Sequence, residues 1–217
     1  MAKLINFKVN RVIRRLVLTN MAFWSGWGFV NPIFSVFVVQ KIKGGNVAVV
    51  GIAVALYWII RAFMRIPVGV FLDHHDGEED DFWFLFFGTV LIALVFFGYL
   101  MAAYPWHIFC LQAIFALGMV IYESGMSAIF IRHIDEGKEA TELGLDSTLA
   151  GLGIGIASGL AGLLINNFGF PITFILGGLS VILSTVILFF SVKTIFPNSS
   201  TRYSFSRFRR TFGEIKK

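Results

Sequence analysis

Residues 69–84 read GVFLDHHDGEEDDFWF. The segment holds six carboxylates and two histidines, with no Lys or Arg. Apolar runs flank it at 47–72 and 82–103. Each is long enough to cross a bilayer core of about 30 Å as a helix, which takes about 20 residues. The acidic stretch is therefore the connection between two spans. The same pattern extends outward in both directions, with further apolar runs at 16–40, 107–132, 143–166 and 170–196. Gly44-Gly45, Pro105, Asn166-Asn167 and Gly169 punctuate the turns.

Composition agrees. The 217 residues are 57% hydrophobic and only 14% charged, where a soluble domain carries roughly a quarter. Strands alternating apolar and polar are absent, which argues against a barrel. The fold class is an all-α membrane protein with six transmembrane helices. Residues 1–15 form a basic N-terminal segment, 16–196 the bundle and 197–217 a basic tail. No signal peptide is evident. A fragment of a longer carrier is an alternative reading, against which stand the initial Met and the charged tail after Phe196-Pro197. The single cysteine, Cys110, excludes an intrachain disulfide.

Orientation follows from Lys and Arg beside the spans. Thirteen fall on one side: Lys3, Lys8, Arg11, Arg14, Arg15, Arg132, Lys138 and six in the tail. Lys41 and Lys43 fall on the other. Both termini are expected in the cytoplasm of a cell (inner) membrane. The basic-aromatic tail reads as an anchor for anionic membrane lipids, with no nucleic-acid partner.

Polar residues inside the spans are costly and mark function. Asn20, Trp24, Trp27 and Asn31 share one face of the first span, beside Pro32, which can kink it. The second span carries Arg61 and Arg65, one turn apart on the face of Trp58. The fourth carries Glu123, with Gln112, Met119 and Ser127 at helical spacing. Arg61 or Arg65 with Glu123 is the natural intramembrane ion pair. Asp146, near the start of the fifth span, fits the first helical turn, where the dipole favours a carboxylate. Gly151, Gly155 and Gly159 form a small-residue stripe. It suits contact within one bundle or between two subunits.

The pattern resembles the major facilitator superfamily. Gly69 and Asp73 match the family's loop between spans two and three. His74 replaces a basic residue, Gly77 comes one residue late, and Glu78 and Glu79 stand where positive charge is expected. LQAIFALG resembles the family's Arg-containing motif, with Gln112 at the Arg position. INNFGFPITFILGGL resembles its turn into the sixth helix. The resemblance implies one six-helix bundle of a carrier that normally has two, so a parallel homodimer is expected. It also implies a cytoplasmic gate of Gly69, Asp73, Gly77 and Asp146. Asp73 would face the partner's fifth helix, and Asp146 would meet the partner's Arg65. Asp76, Glu78, Glu79, Asp80 and Asp81 would be solvated or meet the N-terminus or tail.

The expected function is secondary transport of a small organic solute by alternating access, with possible proton coupling. The substrate cavity would comprise Asn20, Trp24, Trp27, Asn31, Arg61, Arg65, Gln112 and Glu123. The alternative is a lipid scramblase or flippase, or a non-transporting assembly protein. An enzyme is not expected. His74, His75, Asp73 and Asp76 make a poor metal site because contiguous ligands rarely close a coordination shell. No nucleophile motif is present, and no cofactor is expected.

Overall fold

The computed structural model describes residues 9–74 and 78–195, with side chains at 9–74 and 80–191. It contains α1 (Arg11–Lys41), α2 (Val47–Asp73), α3 (Glu78–Gly98), a 3-10 turn (Tyr99–Met101), α4 (Pro105–His133), α5 (Glu139–Phe168) and α6 (Phe170–Ile195). Six of these are long and apolar enough to cross a membrane.

The helix ends are encoded locally. Asn10 caps α1, its side chain accepting the Val12 N–H at 2.9 Å, and Asn46 caps α2 through the Val49 N–H at 3.0 Å. Pro105 opens α4, where its missing N–H costs nothing. Gly169, at φ +72°, ends α5 in a conformation few side chains adopt. Several helices begin before the apolar runs do: α1 at Arg11, α3 at Glu78, α5 at Glu139. Hydropathy registers only the lipid-embedded length, whereas backbone hydrogen bonding continues through polar turns.

α1 packs on α5 and α6, α3 on α4 and α6, and α2 on α4. Exchanging α1–α3 for α4–α6 leaves this pattern unchanged. An odd number of crossings separates the two triplets, so they run in opposite directions. Glycines set the approach at both equivalent seams. A Cβ on Gly26 of α1 would lie 2.7 Å from the Gly177 carbonyl oxygen of α6. One on Gly88 of α3 would lie 2.5 Å from the Tyr122 amide nitrogen of α4. Gly88→Val is therefore expected to cost about 1–3 kcal/mol through overpacking, read as a lower Tm of the purified protein. An unchanged Tm would mean this seam is not tightly packed.

α2 and α5 are the least covered helices. α2 buries only Ala53, Tyr57 and Leu72. α5 turns Gly153, Ala157 and Ala161 toward α1. Cβ atoms on Gly151, Gly155 or Gly159 would meet nothing within 4 Å. Among the described residues, then, the glycine stripe has no close neighbour within the bundle.

Two buried acids knit one end of the bundle. Asp81 is fully buried and pairs with Arg132 of α4, so it is not the solvated carboxylate that was one expectation for the acidic run; residues 1–8 and the tail, the other expected partners, lie outside the described residues. α3 begins early enough to turn Asp81 inward. Glu142, also fully buried, accepts the Asp135 N–H at 3.1 Å. Nothing in the sequence set it apart from other helix-start carboxylates. On the exposed connection, Lys138 hydrogen-bonds Asp135 at 2.8 Å and holds that carboxyl below its ordinary pKa.

Candidate functional site

The walls formed by α1 with α5 and by α2 with α4 enclose a groove. On the α2–α4 wall Arg61 Nη2 donates to Glu123 Oε1 and Oε2 at 2.6 and 2.7 Å. Arg65 Nη1 donates to Glu123 Oε2 at 2.7 Å. One carboxylate thus holds two guanidinium groups, and the cluster keeps one uncompensated positive charge. Glu123 is 13% exposed and Arg61 17%, while Arg65 is 55% exposed and faces the groove. Arg61 also donates to the Tyr57 hydroxyl at 3.3 Å and lies 4.8 Å over the Trp58 ring. The helical repeat explains the meeting. Arg61 and Arg65 lie one turn apart, and α2 packs its Tyr57 against Phe115 of α4, ring centroids 5.3 Å apart.

The cluster separates two cavities that share Trp24 and Arg61. The first, of about 500 Å³, lies toward the end carrying the α4–α5 connection and includes Asn20, Arg65, Glu123, Ser127 and Asp146. The second, of about 310 Å³, lies toward the opposite end and includes Trp27, Asn31, Tyr57, Trp58 and Gln112. All eight residues of the expected substrate cavity therefore line one cavity or the other.

On the far wall of the first cavity, Tyr122 donates to Asn20 Oδ1 at 2.7 Å, and Asn20 donates to Asp146 Oδ2 at 2.7 Å. This relay ties α4, α1 and α5 together. Its other carboxylate oxygen, Asp146 Oδ1, is buried with no hydrogen bond among the described residues. α5 starts at Glu139, so Asp146 sits in its third turn rather than its first. Within its own chain Asp146 is hydrogen-bonded by Asn20, a partner the sequence did not suggest. Tyr57 and Tyr122 were missed. Tyr57 sits among apolar neighbours in sequence and Tyr122 directly precedes Glu123, and only the helix packing aims their hydroxyls at Arg61 and Asn20.

Of the expected gate, Asp73 is exposed at the last position of α2. A Cβ on Gly69 would meet nothing within 4 Å. Gly77, His75 and Asp76 lie outside the described residues, as does the tail.

The family model for the Major Facilitator Superfamily matches residues 16–215. The chain belongs to the Major Facilitator Superfamily. Its fold is similar to the in meso crystal structure of the POT family transporter PepTSo, with a TM-score of 0.69 and 17% identity. That match covers 86% of this chain and 38% of the transporter's chain. No curated protein matches the sequence. Major facilitator halves are built from three-helix repeats of inverted topology, and the exchange symmetry of α1–α3 with α4–α6 is that repeat. Family membership and the six apolar helices make this a multi-pass membrane protein.

Proposed function

We propose that this chain is one bundle of a secondary carrier, with the second bundle supplied by an identical copy inserted the same way up. Both termini lie in the cytoplasm of the cell membrane. The substrate is a small organic solute with an anionic or zwitterionic head. Its anionic group meets Arg65 and Arg61, and any cationic group meets Asp146 across the first cavity.

One observation carries this reading: the Arg61–Glu123–Arg65 cluster stands between cavities at opposite ends of the groove. A charged group in the apolar span costs about 2.5–3.5 kcal/mol on insertion scales, so each member depends on the others. α2 has little other burial, and the cluster is its main polar tie to α4. An anion competing for the arginines, or a proton on Glu123, loosens that tie and lets α2 shift against α4. The exposed faces of α2 and α5 flank the groove, and the glycine stripe lets a second bundle approach closely.

Two-sided labelling tests alternating access. In a Cys110→Ser background, Ser127→Cys reports the first cavity and Val54→Cys the second. Propionate or β-alanine at one-sided excess should raise labelling by an impermeant maleimide at one position and lower it at the other, by at least threefold in the ratio. If both positions label at fixed rates while fluorescent lipids cross the bilayer, the groove handles lipid instead.

A further inference from the structure

The second cavity has a composition that charge binding does not require. Trp24, Trp27, Tyr57, Trp58 and Phe115 surround it. Trp24 and Trp27 meet edge to face at 5.7 Å, and Tyr57 and Phe115 stack at 5.3 Å. Among these rings sits Gln112, only 6% exposed. Its Oε1 is buried, and the side-chain amide makes no hydrogen bond among the described residues. An amide taken out of water without a partner costs about 1–3 kcal/mol. Gln112 is one of the residues lining a 310 Å³ cavity. An apolar cavity of about 150 Å³ takes one benzene ring, so a ring and a linking chain fit here.

We propose that this cavity is an aromatic subsite, in which the substrate's ring lies among Trp24, Trp58 and Phe115 and a ring hydroxyl or ring N–H pairs with Gln112. The proposal rests on the carrier reading for the other end of the ligand, where the anionic group reaches Arg61. Gln112 and Glu123 are eleven residues apart on α4, about 16 Å along the axis. Arg61 covers part of that distance by extending toward Tyr57. The substrate is accordingly elongated, with several bonds between ring and anionic group. The amide selects among rings: a phenol or indole satisfies it, and a plain phenyl leaves it orphaned. Sites built to hydrogen-bond a hydroxyl discriminate strongly against its absence.

Isothermal titration calorimetry of the full chain in lipid nanodiscs tests this with pentanoate, 5-phenylpentanoate and 5-(4-hydroxyphenyl)pentanoate. The phenyl compound should bind at least tenfold tighter than pentanoate, and the hydroxyphenyl compound about tenfold tighter again. Gln112→Leu should erase the hydroxyl's advantage and leave the phenyl compound within about twofold. Gln112→Met gives the same comparison if the leucine variant does not fold. Equal binding of all three compounds, no binding by any, or equal weakening of both aromatics by the variants would overturn the subsite. The carrier reading is judged separately by the two-sided labelling. Aromatic preference with fixed labelling keeps the subsite and removes the carrier. Labelling that responds to pentanoate as strongly as to the aromatic acids does the reverse.

Discussion

Glu123→Gln is expected to lower the stability of the bundle by about 3 kcal/mol and to abolish concentrative uptake in proteoliposomes. Glu123 is the shared anion of two arginines, so its loss strands two cations one helical turn apart. Breaking a buried pair by removing one partner typically costs 3–5 kcal/mol, and the exposure of Arg65 places this case at the lower end. For a chain of this length, 1 kcal/mol moves Tm by about 2–4 °C, so the drop should be about 6–12 °C. Arg65→Gln leaves the two Arg61–Glu123 hydrogen bonds in place and should cost under about 1 kcal/mol, as half-exposed pairs do. The double variant Glu123→Gln with Arg61→Gln restores the net charge of the cluster. It should recover part of the lost Tm but none of the uptake. If Glu123→Gln melts like the parent protein, or Arg65→Gln melts lower than Glu123→Gln, the shared-anion account is wrong.

Gly155→Trp should leave the bundle folded and destroy the assembly. A Cβ at Gly155 meets nothing within 4 Å among the described residues, and surface substitutions of that kind stay within about 0.5 kcal/mol. If a second copy packs its helices on this stripe, an indole there holds the backbones apart. Native mass spectrometry from detergent should then show the parent as a dimer and the variant as a single chain, with uptake lost. Gly153→Trp gives the opposite result. Its Cβ would lie 2.5 Å from Ser25 Oγ and 3.0 Å from the Met21 carbonyl oxygen, so α5 would be forced off α1 and the bundle itself would unfold. A Gly155→Trp protein that is still dimeric and active would place the second bundle elsewhere.

The two glycine positions mark the limit of what could be read without the structure. Gly151, Gly155 and Gly159 stand out in sequence as a stripe, yet the helix packs through Gly153, Ala157 and Ala161. The acidic run behaves similarly. Asp81 looks like its neighbours in sequence, but α3 turns it inward to Arg132. Asp146 was legible as an acid near the start of the fifth span, whereas its bond to Asn20 was not. The pairing of Glu123 with the second span's arginines was legible because each is too costly to leave alone in lipid. That one carboxylate holds both arginines was not.

Sequence alone determined that the chain spans a membrane six times, where the turns fall, and which side chains are too polar to face lipid. Those properties depend on the free energy of moving each residue from water into hydrocarbon, which is local. Tertiary structure decided which face of each helix is covered, and so produced the two cavities, the orphaned Gln112 and the open sides of α2 and α5. Lipid tails are as apolar as a protein core, so hydrophobicity does not distinguish a face that meets another helix from one that meets the bilayer. Only the fit of side chains across the seams makes that choice.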